Sequence, residues 1–444
     1  MKNNSLSRAI SCLLALCSVL FILTSCDARE SPDSDAGLQI EFFSMYEEGE
    51  PHVDYFTEMA RGFEEETGIS VKLTFCGREV LSQVSDRIQS GNPPELVDQE
   101  LSELIAAFFT GGADIVLPLG DLLYDNPGPE GQDRMIDIFN ETFMDIYMVD
   151  GQNYFFPYEL TTAGFSYDKT MFSYHGLKAP ETWSEFIALN DALKTEGVPP
   201  LALDANINFY NAYYYVYLCL RILGTGSFME AAEDKTGAAW DDPGYLEAAQ
   251  LTYELSKSGR DFFQPGYTES SFPAAQANWA LGNSGSIMCG TWIPQETWEL
   301  VDDTWKFGCY SFPEVEGGVG KATEIEASLY GCSILKNSKN PDAAKEFLKY
   351  IARKENSQEY VTYTELISPR IDVAPPDMLA DVRKMLASAT GYFIPYDGVL
   401  GNQPEWLSSV FYPLDNKLIF GEITPDEFIK QIKQDSIDYW NSKR

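Results

Sequence analysis

The sequence predicts an α/β protein of two lobes, with the chain passing between them and a ligand cleft in the gap. Three observations carry that prediction. At 444 residues, 44% of them hydrophobic, the chain exceeds what one ordinary core accommodates. Residues 38–75 read as strand, helix and strand, the parallel unit from which layered α/β lobes are built. Residues 150–172 then read as a segment leaving one sheet for a second packed unit.

The amino-terminal region precedes any fold. Lys2 and Arg8 precede an apolar run over 9–23, which ends in Leu23-Thr24-Ser25-Cys26. The run is shorter than the roughly 20 residues that span a bilayer, which predicts an export signal over 1–25. Its end resembles a bacterial lipobox, with Cys26 as the lipid-modified first residue; the competing reading is an ordinary signal with an incidental cysteine. Residues 26–37 are polar after that cysteine, carry Pro32, and lack apolar periodicity, which predicts a flexible tether of roughly 35 Å.

Composition narrows the chemistry. A net charge of -37, from 31 basic and 68 acidic residues, argues against nucleic acid or an anionic membrane surface as partner. It serves solubility, or it marks a cleft that selects cations; composition leaves both open. Beyond Cys26 there are five cysteines, Cys76, Cys219, Cys289, Cys309 and Cys332, an odd number without Cys-x-x-Cys spacing. They read mostly as small buried residues. His52 and His175 are the only histidines, and His-Glu-x-x-His, Gly-x-Ser-x-Gly and a phosphate loop are absent. The expectation is therefore no metal, no cofactor and no catalytic site.

From Leu38 a strand runs to Phe43, and Phe56, Met59, Ala60 and Phe63 share a helix face that stops at Gly68. Ile69, Val71, Leu73 and Phe75 alternate as the next strand. Leu81, Val84 and Ile88 mark a second helix, closed by Gly91-Asn92-Pro93-Pro94 before a short strand at 95–97. A further helix through Leu101, Leu104, Ile105 and Phe108 ends at Gly111-Gly112.

In the crossing segment, Asp150-Gly151 is a tight-turn dipeptide, residues 154–156 have aromatic strand character, and Pro157 forbids a further ladder bond. A second apolar run over 163–167 ends at Asp168, which caps a helix starting at Lys169. Tyr158, Glu159 and Thr161 thus stand at the crossing and are candidate ligand contacts.

Thr182-Trp183-Ser184-Glu185 is a capping box for a helix through Phe186, Leu189 and Leu193. Residues 201–203 form a strand ending at Asp204, a candidate hydroxyl acceptor. The aromatic run over 209–220 reads as core at helical spacing, with Tyr210 near its amino end as a candidate contact. Gly285 to Trp292 reads as a short apolar strand returning toward the first lobe, with Gly290 permitting close approach to the backbone. Asn340-Pro341 starts a helix through Phe347 and Ile351, and Thr424-Pro425-Asp426-Glu427 caps the last one.

Asp-Gly, then aromatic-x-Pro, then Tyr167-Asp168-Lys169 resembles the first hinge of the extracellular solute-binding proteins of carbohydrate ABC importers, to which the maltose-binding protein is related. The resemblance covers almost the whole mature chain and implies the periplasmic-binding-protein-like type II fold with three hinge crossings. It implies ligand contacts in the loop after the first strand, at Phe43, Ser44, Met45 and Tyr46, and at the strand-end residues Asp98 and Gln99. Glu95 stands where the family has aspartate. The Gly290-Thr291-Trp292 triplet matches a Gly-x-Trp whose indole stacks on a sugar ring, and Trp406 falls near another stacking aromatic. At the third crossing Tyr330-Gly331 replaces two small residues, either placing a ring in the pocket or altering packing.

The expected layout is one lobe of 38–157 with 289–328, and another of 158–288 with 329–444. The expected function is that of a monomeric lipoprotein tethered to the membrane through Cys26, closing on a sugar or short oligosaccharide and delivering it to a permease. The rivals are a secreted glycosidase using two facing carboxylates, and the same fold binding a cationic solute such as a polyamine.

Overall fold

A computed structural model describes residues 37–109, 115–257 and 259–443. The proposed signal, Cys26, most of the tether and the helix stop at Gly111-Gly112 lie outside the described residues.

Strands β1 (Gln39–Ser44), β2 (Ser70–Phe75) and β3 (Leu96–Glu100) run parallel, with β1 paired to both others. The helix Pro51–Thr67 connects the first two and buries Tyr55, Phe56, Met59, Ala60 and Phe63; the Phe56 ring meets Phe42 edge-on at 5.1 Å. Gly68 ends it at φ 75°, a left-handed conformation that glycine adopts without cost, and its N–H closes on the Glu64 carbonyl at 2.8 Å. The predicted strand, helix and strand are all present.

Asp150 and Gly151 both have positive φ, as a tight hairpin turn requires. Strand β4 (Phe156–Thr161) joins the first sheet and β5 (Ala163–Asp168) opens a second, so Thr162 alone separates strands of the two sheets. The sequence places this passage at Pro157, but the strand continues four residues further. β4 is an edge strand, and the register shifts at Tyr330/Gly331 beside Pro157, so the missing N–H is tolerated. Asp168 caps the helix Lys169–Tyr174, accepting from the Thr170 and Met171 N–H groups at 2.8 and 3.1 Å.

The second sheet is completed by β6 (Leu201–Ala202), β7 (Ser286–Gly290) and β8 (Phe307–Tyr310), in the order β6-β7-β5-β8. This corrects the expected assignment of 289–328 to the first lobe. β7 pairs Gly290 with Ala163 and β8 pairs Tyr310 with Phe165, both antiparallel to β5. A short apolar run identifies a buried strand without naming its neighbours.

Strands β9 (Glu324–Glu326), β10 (Ser328–Ile334) and β11 (Gly391–Phe393) finish the set: β9 and β11 make a two-stranded ribbon, while β10 returns between β3 and β4. The helices Pro341–Ile351 and Lys354–Thr364 follow it onto the first sheet's side, with Phe347 against Phe42 and Phe63 and Tyr360 against Tyr55. Residues 329–364 therefore lie with the first sheet and not with the second lobe, to which the sequence reading assigns them. The helix Asn208–Leu223, fully buried from Tyr210 to Ile222, centres the other half, where Tyr215 meets Phe411 and Phe428. The capping boxes Thr182/Glu185 and Thr424/Glu427 form as predicted.

Candidate functional site

The carboxyl ends of β1 and β3 lie on one edge of the first sheet, where parallel α/β sheets present ligand-binding loops. Asp98, at that end of β3, accepts from Met45 N–H at 2.7 Å, Ser44 Oγ at 2.9 Å and Tyr158 Oη at 3.0 Å. Burial pushes its carboxyl up to about 7 despite these donors. Asp98 and Ser44 thus fix the loop after β1 rather than face outward. Phe43 is core, with the Arg87 guanidinium over its ring at 5.2 Å. Gln99 is buried and its Oε1 accepts from Glu100 N–H at 2.9 Å.

Glu159 is 3% exposed, and its Oε2 receives the Tyr46 hydroxyl at 3.0 Å, the Tyr360 hydroxyl, and His52 Nε2 at 3.3 Å. The Tyr46 and His52 rings stack at 3.6 Å. One carboxylate thereby joins the β1 loop, β4 and two helices. Thr161 donates across to the Ser328 carbonyl at 3.4 Å. Tyr330 is half-buried on β10, and its hydroxyl feels the charges of Glu159, Glu100, Arg78 and Glu296.

From the second sheet, β7 ends at Gly290 and the half-buried Trp292 follows. A Cβ on Gly290 would lie 1.9 Å from the Trp292 ring, so the glycine lets the indole lie against the strand end. Tyr210 accepts from Gln276 Nε2 at 3.1 Å. Glu296 is one turn beyond Trp292, its N–H bonded to the Trp292 carbonyl at 3.2 Å. Its side chain is exposed, yet burial leads in pushing its carboxyl up to about 7; the Gln276 amide and Arg78 oppose that, and Glu50 adds to it. Glu296 is thus open to solvent on one side and close to Gln276, Arg78 and Glu50 on the other. Arg78, Glu50 and Tyr330 come from the first sheet's side and Tyr210, Trp292 and Glu296 from the second.

Two sequence candidates lie elsewhere. Asp204 is 1% exposed and spends its carboxylate on Ser270 Oγ at 2.6 Å and on Ala275 N–H at 2.9 and 3.0 Å, capping the helix Ala274–Ala280. Trp406 is 0% exposed, donates to Ser436 Oγ at 3.1 Å, and stacks with Trp240 and Phe411 inside the second half's core. An indole in a helical apolar run reads the same whether it faces a cleft or a core.

The sequence reading missed Arg78, Gln276 and Glu296; the fourth-residue spacing from Trp292 was the available signal for Glu296. It also missed Glu326, 3% exposed, with Oε2 lacking a partner and a carboxyl pushed up to about 8 by burial and Glu100. Among the described residues no cluster of His, Cys, Asp and Glu could hold a metal ion, and all five cysteines are free thiols.

The family described as bacterial extracellular solute-binding protein matches residues 49–358, well over half of the chain. The chain belongs to that family. Among relatives of this solute-binding protein is the multiple sugar-binding protein of Streptococcus mutans serotype c, 24% identical over 368 residues, covering 78% of this chain and 79% of the relative. The diacetylchitobiose binding protein of Streptomyces coelicolor is 25% identical over 308 residues, 68% of this chain and 63% of its own length. A solved chitin oligosaccharide binding protein superposes with a TM-score of 0.72 at 20% identity, covering 91% of this chain and 99% of the other. The fold is thus the two-lobed type II α/β fold, and the family places the protein outside the cytoplasm. Among the described residues no helix is long and apolar enough to cross a membrane.

Proposed function

We propose that this solute-binding protein captures a sugar or short oligosaccharide between its lobes and delivers it to the membrane subunits of an ABC permease. The observation that carries the reading is the Trp292 indole lying over Gly290 with hydrogen-bonding groups around it. An indole covers the C–H face of a pyranose, while Tyr210, Tyr330 and Glu296 offer partners for its hydroxyls. Sugar-binding relatives on both sequence and structural grounds support the ligand class.

One lobe would comprise 38–161 with 328–373 and the other 163–326 with 379–443, hinged at Thr162, Ala327 and the segment after Val373. Closure requires only that the closed state hold ligand better than the open one by a few kcal/mol. Micromolar affinity needs about 8 kcal/mol, within reach of one stacked ring plus several hydroxyl bonds. The protein acts as a monomer, with no enzymatic step, held at the membrane by a lipid on Cys26.

Titration calorimetry of the mature protein against a glycan panel tests this. A binder of micromolar affinity, with heat lost in Trp292→Ala, supports the reading; no binder for folded protein overturns it. Wild type sedimenting with the membrane fraction while Cys26→Ser appears in the soluble fraction supports the anchor; equal partition of the two overturns it.

A further inference from the structure

Glu296 is free of the duties that occupy the other acids near the groove. Asp98 holds the β1 loop, Glu159 bridges two helices, and Asp204 caps a third, whereas Glu296 forms no ion pair among the described residues and remains open to solvent. It stands one helical turn from Trp292, so both side chains lie on the same helical face. Gln276, 1% exposed, lies beside both: its amide donates to Tyr210 at 3.1 Å, and it holds the Glu296 carboxyl down against burial. Across the gap stand Arg78 and Glu50, 3.9 Å apart, and the Tyr330 hydroxyl. Cys289, buried on β7, also feels the Glu296 charge. A group entering here meets Glu296 and Glu50, with Arg78 acting on both.

We propose that Glu296 is a specificity-determining residue of the groove: it accepts hydroxyl protons from the saccharide unit covering Trp292 and turns away units bearing carboxylate or sulfate. The inference rests on the reading of the groove as a sugar site. At pH 8, above the value of about 7 to which its surroundings push it, Glu296 is ionised and offers two acceptor oxygens, and bonds from hydroxyls to an ionised acceptor are stronger than those between neutral groups. The same charge repels an anionic sugar, for which Arg78, already next to Glu50, compensates only in part. The site is thus matched to neutral glycans.

The experiment uses mature protein, calorimetry at pH 8, and two sets of probes. One set is neutral: raffinose, diacetylchitobiose and xylotetraose. The other is acidic: oligogalacturonate and glucuronic-acid-substituted xylo-oligosaccharide. Wild type is expected to bind a neutral member, with Glu296→Ala weakening it roughly 10- to 100-fold, about 1.4 to 2.8 kcal/mol. Glu296→Gln is expected to retain part of that affinity and to gain measurable binding of an acidic probe. Melting temperatures of both variants should stay within a degree or two of wild type, since the side chain is exposed.

Preference of wild type for an acidic probe overturns the proposal. So does a change under threefold in Glu296→Ala while Trp292→Ala abolishes binding, an outcome that leaves the sugar reading intact. Failure of wild type to bind any probe overturns both.

Discussion

Tyr46 gives its hydroxyl to Glu159 at 3.0 Å while its ring lies flat on His52 at 3.6 Å, so the loop after β1 is clamped to the strand entering the first crossing. The bond spans 113 positions of sequence and is buried. Because Glu159 serves three donors, its two neighbours Tyr46 and Tyr360 depend on it more than it depends on either.

Glu159→Ala should accordingly destabilise the protein by about 2–4 kcal/mol, since it strands buried hydroxyls, whereas Tyr46→Phe should cost about 1 kcal/mol. Urea denaturation of the two variants checks the ranking.

The two tryptophans that the sequence offers as stacking candidates should separate cleanly. Trp406→Ala empties a fully buried site and should cost about 3–5 kcal/mol of stability. Trp292→Ala should leave the melting temperature nearly unchanged and remove most of the affinity for sugar. Thermal scans and calorimetry on both proteins give the comparison.

Gly290→Ala should mimic the loss of Trp292. Its new methyl would sit 1.9 Å from the indole ring, so the ring must swing off the strand end. An affinity loss of roughly tenfold or more, with native circular dichroism, is the expected result. Unchanged affinity would show that the indole position is immaterial.

Glu326 makes stability depend on pH in a stated direction. Burial raises its folded carboxyl to about 8, above the ordinary value of 4.5. A raised acid favours the folded state fully below the unfolded value, and that contribution is lost as pH climbs through about 8. Melting temperature should therefore fall between pH 5 and pH 8.5 by a few degrees, and Glu326→Gln should flatten part of that slope. Asp415, buried with both oxygens unpartnered and raised as well, should keep a residual slope in the variant. A slope unaffected by Glu326→Gln would refute the assignment.

Legibility in the sequence followed range. The cap at Asp168, the boxes at Thr182 and Thr424, and the end of the first helix at Gly68 all appear where the residues place them. Each depends on groups within three or four positions, so the information is local. Of the candidate contacts, Tyr46 and Glu159 bond each other in a buried clamp and the Tyr330 hydroxyl feels Glu159 and Glu296, but what each one touches was not legible. Asp98 finds its loop partners 53 and 54 positions away, and nothing short-range announces that its carboxylate is already spent.

By itself, then, the chain's pattern determined the element types, their order, and an α/β body with a crossing near residue 160. Tertiary structure alone decided that β7 and β8 flank β5, that β10 returns to the first sheet, and that Trp292 stays half-buried while Trp406 fills a core. Periodicity specifies which face of an element is apolar. Which neighbour covers that face is settled only when whole elements compete to pack against one another.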